Sequence, residues 1–328
     1  MIIPAFLLLP LSFPILMPNA FPPIYLVGPT GCGKTSVALA VATQLQDRGV
    51  PVEIVLADAY QIYDAFPILS SAPTADERAL VPHHLCGVIP ATEECDAARF
   101  AQLAEAAIAD VAARACPLVV GGSGLYLKAL THGLAPTPPG DATLRAELEL
   151  LSLDELVARY QSLDPAGAAA TNLLNRRYVT RNVEICLLTG QPASVLKQAW
   201  SRPQPDLHAV CLQRERADLY DRINQRTLVM LQNGVLEEVA ALGPLSATAA
   251  KAIGLSEVRA HLAGEIDLAT CTDRWQQGTR RYAKRQETWF RKEPDLRPLD
   301  IPAGESAAAT ATRVIELLAT GTPHLSFP

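Results

Sequence analysis

Residues 28–35 match the pattern G-x-x-x-x-G-K-[ST], and no other stretch of the 328-residue chain limits the possible folds as much. The motif consists of Gly28, Pro29, Thr30, Gly31, Cys32, Gly33, Lys34 and Thr35. A short apolar run at 24–27 precedes it, and apolar residues at helical spacing follow it as far as Leu45. The order of strand, glycine-rich loop and helix is that of a phosphate-binding P-loop.

The composition of this loop predicts that it binds a polyphosphate. Glycines let backbone N–H groups approach an anion, and the N-terminus of the following helix adds a favourable field. Lys34 contributes a positive charge, and the hydroxyl of Thr35 is the group that holds Mg²⁺ in such loops. The motif does not specify which polyphosphate binds or what reaction follows.

The composition is that of a globular protein without disulfides. Hydrophobic residues make up 49% of the chain, which is ample for a packed core, and the length suggests about two domains. The net charge of −6 argues against a protein coated in basic charge but leaves a local basic face open. The seven cysteines include no C-x-x-C pair, so the sequence predicts free thiols rather than a zinc site or a disulfide framework.

The apolar segment 1–16 suggests a signal peptide or a membrane span at first sight. It lacks a positively charged start, contains three prolines and is shorter than the roughly 20 residues of a spanning helix. We therefore expect no membrane association and a cytoplasmic location. Residues 1–16 are interpreted as a non-native or disordered extension, with Met17 as the native start.

Short apolar runs alternate with helical patterns and predict an α/β fold. Further strands are expected at 52–56, 117–120 and 207–212, in a P-loop NTPase-like parallel sheet flanked by helices. The expected core comprises residues 17–130 and 203–300. Residues 131–202 show helical patterns alone and predict an all-helical insertion domain, and 301–328 is expected to be a C-terminal tail.

A carboxylate at a strand end is the first indication of the reaction. A P-loop ATPase needs an acidic residue at the end of a later strand to help hold Mg²⁺ and water. Here Gly121 and Gly122 occupy that place. Asp58 instead follows the second strand, which favours proton abstraction from a second substrate at the carboxyl edge of the sheet. A capping Asp in a turn is the alternative interpretation of Asp58.

These motifs and several others resemble those of tRNA dimethylallyltransferases, also called tRNA isopentenyltransferases, of the IPP transferase family. The matching stretches run in family order from residue 24 to about 300. They are GPTGCGKT at 28–35, ADAYQIY at 57–63, APT at 72–74, VPHHL at 81–85, VVGGSGLYLKAL at 119–130, GLAP at 133–136, RADLYDRINQR at 216–226 and RRYAKRQETWFR at 280–291. The P-loop alone is common to many enzymes, whereas this combination is specific to the family.

The resemblance implies transfer of a dimethylallyl group from dimethylallyl diphosphate to the N6 amine of adenosine 37, next to the tRNA anticodon. Diphosphate would leave from the P-loop, with Lys34 and Mg²⁺ on Thr35 neutralising its charge. Asp58 matches the family's base, and Arg226 matches a family arginine that contacts the reacting region.

The resemblance also implies contacts with the anticodon stem-loop, whose splayed bases are read by stacking and edge contacts. The expected tRNA-binding residues are Asp58, Ala59, Tyr60, Gln61, Tyr63, Ser123, Arg145, Arg176, Arg177, Arg181, Arg281, Lys284 and Arg285. Trp275, Tyr282 and Trp289 recur every seven residues and are assigned to the core, so the basic residues between them are expected to face phosphates.

Three positions depart from the family pattern. Ala72 replaces a lysine, Leu255 replaces an aromatic residue, and Tyr178 stands where an arginine is more common. We expect the first two changes to affect efficiency and tRNA choice, because the positions expected to be catalytic are all intact.

Three other functions compete with a monomeric tRNA prenyltransferase. A small-molecule P-loop kinase would explain residues 24–123 but not the A-K-R-Q-x-T-W segment. An adenylate isopentenyltransferase would use the same donor on a free nucleotide, for which the basic insertion is unnecessary. A non-catalytic RNA-binding protein with a relic P-loop would not need an intact Lys34 or Asp58.

Overall fold

A six-stranded parallel sheet forms the centre of the computed structural model, which describes residues 21–133, 137–198 and 207–320. The strand order is β3-β2-β4-β1-β5-β6. The strands are β1 (Ile24–Val27), β2 (Val52–Ala57), β3 (His83–His84), β4 (Cys116–Gly121), β5 (His208–Arg214) and β6 (Arg297–Ile301). The predicted strands correspond to β1, β2, β4 and β5, and the predicted fold class is confirmed. The expected extension at 1–16 lies outside the described residues.

Helices cover both faces of the sheet. They are α1 (Lys34–Gln46), α2 (Pro67–Ser70), α3 (Ala75–Leu80), α4 (Ala97–Ala112), α5 (Gly124–His132), α6 (Ala142–Glu149), α7 (Leu153–Leu163), α8 (Pro165–Ala170), α9 (Arg176–Thr189), α10 (Ala193–Leu196), α11 (Arg216–Gln232), α12 (Val235–Ala240), α13 (Leu255–Leu262), α14 (Leu268–Phe290) and α15 (Ala307–Ala319). Within the described part of the chain, no helix combines the length and apolar character that crossing a bilayer demands.

The sheet separates two hydrophobic clusters. Along β1, Ile24 and Leu26 pack into one cluster, while Tyr25 and Val27 pack into the other. Alternate residues of a strand point to opposite faces, and both faces are covered, so a nearly continuous apolar run is what a central parallel strand requires. The seven cysteines are free thiols, as the absence of a C-x-x-C pair predicted.

The C-terminal segment differs from the predicted tail. β6 ends at Ile301 and extends the sheet beside β5, and α15 packs against α1 through residues such as Val314 and Ile315. Residues 301–320 are therefore part of the core. In β6 only Leu299 and Ile301 are buried, and the remaining residues include Pro298 and Asp300. So short and mixed a run gives no clear strand signal.

Helices α6 to α10 lie within residues 131–202, for which the sequence predicts an insertion, and α6 to α9 share a separate hydrophobic cluster. Leu148, Leu156, Tyr160, Val179 and Val183 are buried together and join α6, α7 and α9. This cluster is separate from the two clusters that the sheet divides.

Candidate active site

A cleft of about 800 Å³ opens at the carboxyl edge of the sheet. Its walls come from the P-loop, Asp58 after β2, the end of β4, the segment 67–78, and helices α11 and α14. The three strand ends that the sequence singled out therefore line one cavity. Carboxyl edges of parallel sheets are where α/β proteins bind ligands.

Backbone geometry fixes the P-loop at the start of α1. Gly33 is the N-cap residue and has a φ of 96°, a left-handed backbone conformation that residues other than glycine rarely adopt. The Lys34 ammonium donates to the carbonyl oxygens of Gly28 and Pro29, each at 2.9 Å. Lys34 and Thr35 both line the cleft, as the P-loop prediction requires.

Three arginines from β5 and α11 surround the same loop. Arg214 Nε donates to the Cys32 carbonyl at 2.9 Å, and Arg222 Nε donates to the Gly31 carbonyl at 3.0 Å. Arg226 Nη2 donates to the Thr30 hydroxyl at 2.7 Å. These contacts bring positive charge to the loop from residues almost 200 positions away in the chain.

Arg226 was expected at the site, whereas Arg214 and Arg222 were not. Burial lowers the pKa of Arg226, and the nearby Asp58 opposes that shift. An arginine stays protonated even so, and the cation lies within the field of the carboxylate. The spacing of Arg222 and Arg226 on one helix face was a usable signal for the missed residue.

Gln286 connects the P-loop to the end of β4. Its Oε1 accepts the Thr30 N–H at 2.8 Å, and its Nε2 donates to the Gly122 carbonyl at 2.8 Å. A Cβ on Gly122 would lie 2.6 Å from that Nε2 atom and 2.9 Å from the Gly28 carbonyl oxygen, so a side chain there would displace the amide. The A-K-R-Q segment is recognisable in the sequence, but its pattern indicates no role for this buried side chain.

Asp58 lines the cleft in an orientation set by its own turn. Its Oδ1 accepts the backbone N–H groups of Tyr60 at 2.9 Å and Gln61 at 3.3 Å. The capping alternative is therefore correct for Oδ1, but it does not exclude a role in the cleft. Oδ2 has no hydrogen-bond partner among the described residues and is free to accept a proton from a ligand.

Two tyrosines flank Asp58. Burial raises the pKa of Tyr60 to about 12, and the charge of Asp58 adds to that shift, while Arg285 and Arg177 lower it. Tyr282 also lines the cleft and is half-buried. Tyr282 is therefore a cleft residue and not a fully buried core residue, whereas Trp275, seven residues earlier on the same helix, is buried in the core and also lines the cleft.

Hydrogen bonds join the segment after Asp58 to two neighbouring parts of the chain. The Ser123 hydroxyl accepts the Ala59 N–H at 3.0 Å. Gln61 Nε2 donates to the carbonyls of Ser70 at 3.2 Å and Ser71 at 2.9 Å. Gln61 therefore joins the Asp58 turn to the opposite wall of the cleft, and its amide is not free to contact RNA without breaking these bonds.

Glu238 of α12 forms hydrogen bonds with the wall of the cleft that contains residues 67–78. Its carboxylate accepts the N–H groups of Ile68 at 2.7 Å and Leu69 at 2.8 Å. Apolar side chains from this wall and from α11 line the cleft here, including Leu69, Val229 and Met230. The cleft thus has a cationic end at the P-loop and an apolar lining opposite.

Several expected RNA contacts lie elsewhere in the structure. Tyr63 is buried, and its hydroxyl contacts Thr248 at 2.6 Å and accepts the Cys95 N–H at 3.1 Å. Arg176 donates to three backbone carbonyls around the end of α6. Tyr63 is therefore a core residue, and Arg176 mainly joins helices of the insertion, which argues against the predicted RNA contacts of both.

Arg145 and Arg181, which were expected to contact RNA, both bind a buried carboxylate of the insertion. Both pair with Glu184, whose side chain is fully buried, and Arg181 also donates to the Pro138 carbonyl. A single carboxylate is shared by the two guanidinium groups, so only part of their positive charge is balanced within the insertion. The expectation that Arg145 and Arg181 serve chiefly as phosphate contacts does not agree with these pairings.

The remaining expected basic residues are exposed. Arg281, Lys284 and Arg285 lie on the outer face of α14, and Arg177 lies at the start of α9. Arg177 and Arg285 both act on the pKa of Tyr60, so two different elements bring a cation near this cleft residue. Ala72 also lines the cleft, whereas Leu255 is buried at the start of α13.

The Glu184 cluster gives a stability prediction. Burial alone would raise the pKa of Glu184, but hydrogen bonds from Arg181, the Asp141 N–H and Arg145 hold it below its usual value. We expect Glu184→Gln to lower the free energy of unfolding by about 1–3 kcal/mol at neutral pH, because hydrogen bonds to a charged group are lost. Urea titration monitored by circular dichroism measures the difference.

The pH dependence follows from the sign of this shift. A carboxyl whose pKa is lower in the folded state stabilises the fold above its unfolded pKa, about 4.3, and loses that effect as the pH falls through the folded value. The difference between Glu184→Gln and the unchanged chain should therefore shrink below pH 4. Glu149→Gln, which breaks the exposed pair with Arg176, is the matched control and should cost under about 1 kcal/mol. An equal loss in both variants would contradict the prediction.

Comparison with known proteins agrees with this geometry. A model of the family described as IPP transferase matches residues 61–293, and a model of the ATPase family associated with various cellular activities (AAA) matches residues 24–72. A tRNA dimethylallyltransferase of Akkermansia muciniphila is 44% identical over 296 residues, covering 90% of this chain and 99% of its own length. One from Anaeromyxobacter dehalogenans is 41% identical, covering 82% of this chain and 92% of the relative.

Solved structures show the same likeness. The full-length tRNA isopentenylpyrophosphate transferase of Bacillus halodurans is 31% identical, with a TM-score of 0.63 and coverage of 90% of this chain and 94% of that one. A eukaryotic dimethylallyltransferase acting on tRNA shares the fold with a TM-score of 0.74 at 23% identity, covering 93% of this chain and 81% of its own. The family match spans well over half of the chain and the first relative is similar over almost its whole length, so this chain belongs to the IPP transferase family.

Proposed function

We propose that this chain is a tRNA dimethylallyltransferase. It transfers a dimethylallyl group from dimethylallyl diphosphate to the exocyclic N6 amine of adenosine 37 in tRNA and releases diphosphate. The observation that carries the proposal is that Asp58 and the P-loop line one cleft. A carboxylate and a diphosphate cradle in the same cavity suit an alkyl transfer in which donor and acceptor meet between them. The names of the relatives support the same activity.

The P-loop end of the cleft suits the departure of diphosphate. As the allylic C–O bond breaks, negative charge builds on the bridging oxygen. Lys34, Arg222 and Arg226 line this end of the cleft and are fixed by hydrogen bonds to the loop. Cations that are in place before the reaction stabilise the developing charge without reorganising, which is an effective form of catalysis.

Thr35 is the residue that would hold Mg²⁺. Across the described ranges, no group of three or more His, Cys, Asp and Glu side chains is placed to bind a metal. The protein therefore offers a hydroxyl at the cleft wall, and a donor set of hydroxyl, phosphate oxygens and water fits a hard cation that usually keeps several waters. When bound, Mg²⁺ supplies charge neutralisation on the leaving diphosphate.

Asp58 is placed to activate the acceptor. An exocyclic adenine amine is a weak nucleophile, because its lone pair is delocalised into the ring. As the new N–C bond forms, the amine proton passes to the Oδ2 atom of Asp58, while the Tyr60 and Gln61 amides keep Oδ1 in place. Arg226 contacts the P-loop and suits the diphosphate rather than the proton, since a guanidinium does not act as a base.

The exposed cations suit the anticodon stem-loop. Arg281, Lys284 and Arg285 on α14 and Arg177 on α9 are exposed, and Arg285 and Arg177 lie near the cleft residue Tyr60. RNA phosphates that approach the cleft would therefore meet cations from two elements. The insertion would grip the anticodon arm while the core holds the donor. We also propose that the enzyme is cytoplasmic, like its tRNA substrate, and monomeric, since one chain supplies the residues that line the cleft.

One assay separates this proposal from its rivals. The protein is incubated with dimethylallyl diphosphate, Mg²⁺ and an unmodified anticodon stem-loop, AMP, or ATP with small acceptors. We expect the prenyl group in the RNA alone. Incorporation into AMP would indicate an adenylate isopentenyltransferase, and phosphoryl transfer would indicate a kinase. Binding of RNA without any prenylation would indicate a non-catalytic protein and remove the proposal.

A further inference from the structure

One face of α14 forms a wall of the cleft, and Tyr282 lies within it. Trp275, Thr279, Tyr282 and Gln286 all line the cleft, at the spacing that places residues on one side of a helix. Gln286 holds the backbone N–H of Thr30 in the P-loop. Tyr282 lies about one helical turn from Gln286, about 6 Å along the axis, and its side chain also lines the cleft.

The ring of Tyr282 lies among the groups that surround the proposed base. The guanidinium carbon of Arg285 lies over the ring, 5.6 Å from its centroid. Asp58 and Tyr60 are near enough to act on the Tyr282 hydroxyl, and the Ser123 hydroxyl lies beside it. The ring is therefore on the acceptor side of the cleft, beside the carboxylate.

We infer that Tyr282 helps to bind the acceptor by providing the aromatic surface on which the adenine stacks while Asp58 receives its proton. The inference rests on the proposed function. A base taken out of an RNA loop loses its stacking partners, and an aromatic ring or guanidinium plane in the protein replaces them. Arg285 backs the ring, so base, tyrosine and guanidinium form one stack that also brings a positive charge toward the RNA backbone.

The hydroxyl of Tyr282 does not compete with Asp58 for the role of base. Burial raises the pKa of Tyr282, and the charge of Asp58 adds to that shift, so the phenol stays protonated at neutral pH. Tyr282 contributes to acceptor binding through its aromatic ring and not through its hydroxyl. Removing the ring should therefore affect binding of the acceptor and leave binding of the donor unchanged.

The test uses the full chain and a stem-loop with 2-aminopurine at the acceptor position. This base stacks like adenine but lacks the N6 amine, so it reports binding without reaction, and stacking quenches its fluorescence. We expect Tyr282→Met to raise the emission of the bound probe and to weaken RNA binding about 5- to 150-fold, the range measured for loss of one base–aromatic stack. Tyr282→Phe should match the unchanged chain in both respects, and inhibition by diphosphate should be the same in all three.

Controls separate the ring from the fold. Tyr220→Leu removes a half-buried tyrosine of α11 that does not line the cleft, and should leave both readouts unchanged. Tyr282→Leu is a second ring-free variant should the Met variant fold poorly. Equal quenching and affinity in the ring-free variants and the unchanged chain would overturn the inference, as would a loss in Tyr282→Phe as large as in Tyr282→Met. A chain that binds this stem-loop but never prenylates its adenosine counterpart would overturn the proposed function, and the inference with it.

Discussion

Replacing Asp58 by Asn is expected to lower kcat for tRNA prenylation by about 10²- to 10⁴-fold, the range typical of a lost general base. The amide keeps an oxygen in the place of Oδ1, so the hydrogen bonds from Tyr60 and Gln61 and the shape of the turn are preserved. What disappears is the negative charge and the ability to take a proton. Single-turnover rates at saturating donor and stem-loop measure the effect directly.

The matched control for this variant is Asp64→Asn. Asp64 lies six residues further on, is exposed and accepts the Ala91 N–H through its carboxylate, but it does not line the cleft. Its conversion should leave kcat near that of the unchanged chain. The affinity for dimethylallyl diphosphate should persist in both variants. Loss of donor binding in Asp58→Asn would show that Asp58 belongs to the diphosphate site instead.

Arg226→Gln should lower the rate of the chemical step by about 10²- to 10³-fold, as the loss of one preorganised charge donor commonly does. The side chain lies deep in the cleft, donates to Thr30 in the P-loop and carries a charge that burial makes costly to maintain. Diphosphate should also inhibit the variant less strongly, because the product carries the charge that Arg226 stabilises. Rapid-quench kinetics with diphosphate inhibition measure both quantities.

Two further variants sharpen that result. Arg226→Lys keeps the charge but not the planar fork, so it should recover only part of the rate. Arg280→Gln removes an arginine that bonds Asn224 between α11 and α14, outside the cleft, and should leave the chemical step unchanged. A rate in Arg226→Gln equal to that of Arg280→Gln would show that the positive charge at Thr30 is not used.

The sequence predicted those parts of the fold that local patterns encode. Apolar runs marked β1, β2, β4 and β5, and the glycine–lysine motif marked the loop between β1 and α1. β3 is two residues long, and β6 mixes buried and exposed positions, so neither has enough apolar residues in a row to be recognised. Their strand conformation depends on neighbours that the local sequence does not identify.

The residues of the site were also predicted only in part, because local motifs do not show how side chains from distant segments are arranged. Membership of the IPP transferase family, inferred from the motifs, is confirmed. Motifs identify residue types but not where side chains point: Tyr63 follows Asp58 by five positions yet is buried, and Arg181 pairs with Glu184. Gln286 reaches the P-loop across 256 residues, a contact that no local pattern can indicate.

The link through Gln286 makes α14 a shared component of two functions. Its buried amide closes the donor loop against β4, while the next residue toward the N-terminus, Arg285, lies on the proposed RNA face. Any shift or rotation of this helix moves both surfaces at once. Attempts to redesign tRNA preference by substitutions along α14 should therefore be scored for donor affinity as well. Changes to Arg177 on the separate insertion offer a way to alter RNA binding without disturbing the loop.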